Sequence, residues 1–166
     1  FVWFWFTGRF DKRLRRRALI LLVLGGSQGL MGWIMVKSGL AEVPYVSHYR
    51  LALHLVLAFL LFAFCLWYAL DLYKPKKTWM QAPNYRALRR WLVAIGILIF
   101  LQVIWGGYVA GLKAGHMFNT FPTMNGQWLP EQLHAMKPVL VNYVENPVAV
   151  QWTHRVLGTV LGLSVI

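Results

Sequence analysis

Apolar runs of nearly membrane-spanning length recur along this chain, and they constrain its fold more than any other feature. Residues 18–36 (ALILLVLGGSQGLMGWIMV), 51–70 within the segment 47–72, 91–112 and 147–166 each approach the roughly 20 apolar residues that cross a bilayer as a helix. A globule of 166 residues has too little interior to hide such runs from water. Charged residues make up only 13% of the chain, where an ordinary soluble domain has about 25%. Disorder, a disulfide scaffold and a soluble enzyme domain are disfavoured. The expected fold class is all-α, a polytopic membrane helix bundle. Cys65 is the single cysteine, so no intrachain disulfide forms. It sits mid-span and reads as a packing residue.

The connections between runs alternate in charge. Residues 7–17 (TGRFDKRLRRR) and 73–90 (YKPKKTWMQAPNYRALRR) carry 12 of the 17 Lys and Arg residues, with Asp11 the one acid among them. The connections at 37–48 and 113–146 carry few charges, nearly balanced. In a four-span reading the two basic loops fall on one side, and the positive-inside rule makes that side, with 7–17 and 73–90, cytoplasmic or mitochondrial matrix. Membrane orientation thus accounts for the net charge of +12, and no nucleic-acid partner is needed. The opening FVWFWF lacks a basic n-region and reads as the last turns of a membrane helix, not a signal peptide. The closing TVLGLSVI stops inside an apolar run, so both ends read as cuts in a longer sequence. Ser47 suits a helix N-cap, and Asn146-Pro147 suits an N-cap followed by proline at the first helical position.

An internal repeat is visible. Gln28-Gly-Leu-Met-Gly32 is followed by Lys37-Ser-Gly39, and Gln102-Val-Ile-Trp-Gly106 by Lys113-Ala-Gly115. Each unit leads through an outward loop to a helix with one histidine in its outer part, His54 and then His154. The units have the same orientation, as in a parallel repeat about an axis along the membrane normal. Glycines line the same helices: Gly25, Gly29 and Gly32, then Gly107, Gly111 and Gly115, then Gly158 and Gly162. They permit close approach of a helix or of a flat ligand.

Ionisable groups at membrane depth are costly and usually functional. Heme ligation, proton transfer and an interhelical hydrogen bond are all open to His54 and His154. Arg50, four residues before His54, shares its helix face and suits a carboxylate of a ligand held by that histidine. Arg155 follows His154 about 100° around the helix, and snorkelling to headgroups competes with ligand binding at both arginines. No zinc spacing, P-loop, nucleophile elbow or dinucleotide fingerprint is present in the sequence. His116 and His134 fall in the long connection and read as solvated. That connection is aromatic enough, with Phe118, Phe121, Met124 and Trp128, to lie on a membrane or cap a bundle, and 130–144 suits a short interfacial helix with Glu131 near its start.

Four blocks in this order resemble the heme A synthase family: GSQGLMGWIMVKSGL (26–40), VSHYRLALHL (46–55), GGYVAGLKAG…NTFPTMNGQWLP (106–130) and ENPVAVQWTHRVLG (145–158). Lys113 departs from the family pattern, where acidic residues are common. The resemblance implies an eight-helix parent of two four-helix halves, each holding one heme between two histidines. On that map residues 1–72 end the first, substrate-side half, 73–90 form a basic linker, and 91–166 begin the second half, which holds heme b. His54 and His154 would be iron ligands to two different hemes. Arg50, Arg155, Asn119, Thr120, Phe121 and Pro122 would border the cofactors, and the family's catalytic glutamate would precede Phe1.

The implied reaction oxidises the C8 methyl group of heme O to a formyl group, giving heme A for cytochrome c oxidase assembly. By the same resemblance, the excerpt itself is not expected to turn over substrate. Implied partners are heme O, heme A, the lipid bilayer, heme O synthase and an electron donor. The implied location is the bacterial cytoplasmic membrane or the mitochondrial inner membrane, and a homo-oligomer is left open. A non-catalytic diheme cytochrome b that only passes electrons is the chief rival, and a proton-coupled transporter is a more distant one.

Overall fold

The computed structural model describes residues 2–39, 45–73 and 84–166. In chain order the helices are α1 (Val2–Phe6), α2 (Lys12–Gly39), α3 (His48–Tyr73), α4 (Tyr85–Gly111), α5 (Asn142–Glu145) and α6 (Pro147–Val165). Among the described residues, extended backbone pairs at an isolated bridge between Met124 and Gln127, and no strand forms. The chain is a polytopic helical bundle, as its apolar runs require.

Helices α2, α3 and α4 are long and apolar enough to cross a membrane. The fourth run also folds as a helix, α6, but its 19 residues are not among those that meet this measure. Its first half carries Gln151, Thr153, His154 and Arg155, which dilute its apolar content.

The basic segments are less loop-like than their composition suggests. Residues 7–11 form the break between α1 and α2, with Gly8 at φ +67°. From Lys12 the basic residues are already helical. Asp11 starts this helix, its carboxylate accepting from the Leu14 N–H at 2.6 Å, and a negative charge there complements the exposed amides of a first turn. Tyr85 through Arg90 are likewise the first turns of α4. The rest of the basic linker, 74–83, and residues 40–44 of the first outward connection lie outside the described residues.

The long helices pack side by side in chain order, α2 on α3, α3 on α4 and α4 on α6. At the basic end, Arg13 and Arg17 of α2 both bond Asp71 of α3, and the Arg17 guanidinium lies 4.8 Å from the Tyr68 ring centre. At the opposite end, Arg50 of α3 bonds Ser38 of α2. The α3–α4 contact depends on glycine. A Cβ on Gly107 would fall 2.6 Å from the Ala52 Cα, and one on Gly111 would fall 2.5 Å from the His48 Cα. Two helices this close leave no room for any side chain at those positions. Gly115 falls past the end of α4 in a short 3-10 turn, while Gly25, Gly29 and Gly162 meet nothing within 4 Å among the described residues.

The best-buried part of the chain lies where the 113–146 connection folds over α6. Met124, Leu133, Val148, Ala149 and Val150 are buried there with Asn142, Asn146 and Gln151. The connection is not one interfacial helix: it has 3-10 turns at Glu131–His134 and Val139–Val141, then α5. Asn142 explains the breaks. Its side chain accepts from the Met136 N–H at 2.9 Å and donates to the carbonyls of Met136 and Val139 at 2.8 and 2.9 Å. These are backbone groups a continuous helix would have paired internally.

Candidate functional site: two histidine cradles

His54 and His154 each sit in a cradle built from an earlier long helix of the same repeat unit. The carboxamide nitrogen of Gln28 on α2 lies 3.2 Å from His54 Nε2 on α3. The carboxamide nitrogen of Gln102 on α4 lies 3.3 Å from His154 Nε2 on α6. One helical turn beyond each glutamine stands a glycine facing the same imidazole. A Cβ on Gly32 would be 3.4 Å from His54 Cε1, and one on Gly106 would be 3.3 Å from His154 Cε1. The four-residue Gln-to-Gly spacing puts both groups on one helix face. The sequence repeat is thus repeated as side-chain geometry. The two histidines are held by different helices and serve different cradles.

Both cradles leave hydrogen-bonding capacity unspent. His54 Nδ1, His154 Nδ1, Gln28 Oε1 and Gln102 Oε1 are buried with no hydrogen-bond partner among the described residues. Such groups each cost about 1–3 kcal/mol when left unpaired.

The second cradle opens onto a groove of about 390 Å³. His154, Gln102, Arg155, Phe121, Gly158 and Gly162 line it. A second slot of about 350 Å³ runs beneath the connection, between Phe121, Pro122, Trp128 and Trp152. Both volumes fall in the range of small-ligand and cofactor sites. An imidazole, an arginine and a glycine-smoothed helix face around one groove form a donor set that fits a metalloporphyrin: a neutral nitrogen for iron, a cation for carboxylates and a flat wall for the macrocycle.

The remaining predicted site residues divide. Arg155 spends much of its guanidinium on the connection, Nη2 donating to the Phe118 carbonyl at 2.6 Å and Nη1 to those of Thr120 and Thr123 at 2.5 and 3.4 Å. Thr120 closes the turn, its hydroxyl donating to the Thr123 carbonyl at 2.8 Å and accepting from the Asn125 N–H at 2.7 Å. Phe121 and Pro122 line the grooves, and Asn119 is exposed beside them. Arg50 is tied to the end of α2 rather than to the connection. Lys113 takes a left-handed conformation, φ 54°, and its ammonium lies 4.1 Å from the Tyr45 ring centre. Cys65 is exposed on α3 rather than packed among the described residues. His116 is exposed, but His134 is not simply solvated: its Nε2 lies 3.1 Å from the Tyr143 hydroxyl.

Several residues at the site carried no role in the sequence reading. Gln28 and Gln102 were visible there only as ends of a repeat. Gln151, almost fully buried, donates to the Phe118 carbonyl at 3.0 Å and so holds the connection beside Arg155. The Trp152 indole donates to the Trp128 carbonyl at 2.9 Å, closing the far end of the same connection. Polar residues at a helix start give no periodic signal that distinguishes them from solvated ones.

Known proteins supply the context. A heme A synthase of Parvibaculum lavamentivorans is 45% identical over all of this chain, which covers 47% of that protein. One from Allorhizobium ampelinum is 45% identical over 93% of the chain and 42% of its own length. Heme A synthase COX15 of Bos taurus is 43% identical over 94% of the chain and 39% of its own length. The chain therefore spans a little under half the length of these relatives. No solved structure matches it. The family model for cytochrome oxidase assembly proteins, COX15-CtaA, matches residues 1–166, and the chain belongs to that family.

Proposed function

We propose that this chain is the central part of a heme A synthase, which oxidises the C8 methyl group of heme O to a formyl group through successive hydroxylations. The observation that carries the reading is the duplicated cradle: two imidazoles on different helices, each faced by a glutamine and a glycine at the same register. Bound heme iron supplies the oxidising centre and electron path that protein side chains lack.

The chain's own residues hold, orient and enclose. His54 is the iron ligand on the substrate side, and His154 holds a heme b. Arg50 offers its cation to a porphyrin carboxylate one turn from His54. Arg155 borders the His154 groove and retains donors beyond those spent on the connection. By clamping the connection over the groove it also keeps Asn119, Thr120, Phe121 and Pro122 at the mouth, where they limit the entry of water. Residues 1–72 and 91–166 belong to two four-helix halves, joined at 73–90 on the cytoplasmic or matrix side. Heme O synthase as the source of substrate and a membrane electron donor complete the partner set.

The test is heme A production by the full-length protein carrying His54→Ala, with pigments extracted and identified. Loss of heme A with the His154-bound heme retained is expected. Undiminished heme A overturns the ligand assignment. A wild-type protein that shows low-spin bis-histidine spectra but makes no heme A from heme O is an electron carrier instead.

A further inference from the structure

We propose that Gln28 and Gln102 are loading gates: each carboxamide occupies the Nε2 of its histidine in the heme-free protein and withdraws before iron can take that nitrogen. The inference rests on the reading of His54 and His154 as heme ligands and deepens it. An imidazole nitrogen has one in-plane lone pair, and iron and an amide N–H cannot both use it. At His54 and at His154 the nitrogen engaged by the carboxamide is Nε2, the one at the tip of the ring. Rotating the carboxamide end for end changes donor into acceptor, but Nε2 remains the atom it holds.

Three observations bear on the gate. The arrangement occurs twice, on helices far apart in sequence, with the same glycine one turn on. It is also only half satisfied. While the carboxamide binds Nε2, its own Oε1 and the Nδ1 of the ring are buried in each cradle with no hydrogen-bond partner among the described residues. A buried hydrogen bond of this kind is not lost without a replacement, and a stronger ligand for Nε2 is what displaces the carboxamide. Finally, Gln102 reaches His154 across Gly158, where a Cβ would come within 2.9 Å of the carboxamide nitrogen, and it borders the open groove into which it can swing.

The test uses the full-length protein, prepared heme-free in detergent and titrated with ferric heme b, comparing wild type with Gln102→Met and Gln102→Asn. Methionine keeps the volume and removes the hydrogen bond, while asparagine keeps the carboxamide on a stem too short to reach. Both variants are expected to load faster and to tighten apparent heme affinity roughly two- to tenfold, the worth of one modest hydrogen bond, with an unchanged bis-imidazole spectrum. Gln28→Met does the same for the first cradle. Weaker binding, or a shifted Soret band or reduction potential in the methionine variant, means the carboxamide serves the loaded state, and the gate is overturned. Unchanged loading in both variants overturns it too. His154→Ala separates the two levels: if it takes up heme with wild-type stoichiometry and spectrum, the ligand assignment fails and the gate with it.

Discussion

The Tyr49 hydroxyl on α3 donates to the Glu145 carboxylate at the foot of α6, at 2.5 Å, joining two repeat units across the end of the bundle opposite the basic turns. His48 Nε2 lies 3.7 Å from the other oxygen of the same carboxylate, and Tyr108 of α4 packs edge-on against both His48 and Tyr49. Tyr49 is 42% exposed, so this link is screened by solvent and contributes little on its own. Tyr49→Phe is expected to lower stability by less than about 1 kcal/mol. Thermal unfolding of the full-length protein in detergent checks it, and a large loss would mean the link is shielded by residues beyond this chain.

Gly111 and Gly107 set the separation of α3 and α4. Valine at Gly111 places its Cβ against the His48 backbone, which cannot rotate away as a side chain would. A cost above about 3 kcal/mol is expected, seen as lost folded yield. Gly96→Ala, on the same helix with nothing within 4 Å, is the control and should fold normally.

Asn142 is fully buried and bonds the backbone of Met136 and Val139 and the side chain of Asn146. Asn142→Ala strands several of these groups at once. It should cost roughly 3 kcal/mol and unlock the connection. Asn142→Asp retains the acceptors but turns a buried carboxylate oxygen toward the Met136 and Val139 carbonyls, and should melt no higher than alanine.

Arg155 is predicted to act through the fork shape of its guanidinium. Lysine retains the charge but cannot reach the Phe118, Thr120 and Thr123 carbonyls together. Arg155→Lys should therefore raise hydrogen exchange across residues 118–125 nearly as much as Arg155→Ala. If lysine protects like arginine, charge and not geometry is what holds the connection.

Much of the bundle was legible beforehand because the signals were local. Apolar length marks α2, α3 and α4. Asn146 before Pro147 marks the start of α6, where the Asn146 side chain does accept from the Val148 N–H at 3.0 Å. The histidines stood out because an imidazole in an apolar run is rare. The cradles were legible only as a pattern of letters: Gln28 and Gln102 announce a repeat, but what a glutamine touches depends on how the next helix is rotated. The connection was the least legible part. His134 read as solvated and Asn142 carried no role, and only the chain folding back on itself buries Asn142 or brings Tyr143 to His134.

By itself the sequence determined that this chain is a set of membrane helices with one histidine set into each of two apolar runs, because burial of apolar length and the cost of an ionisable group in lipid are properties of single segments. Tertiary structure alone decided which glutamine meets which histidine, which glycines are contacts and which are open, and that Arg155 grips a backbone turn. These depend on the separation and rotation of neighbouring helices, set jointly by side chains from several elements, and no one segment encodes them.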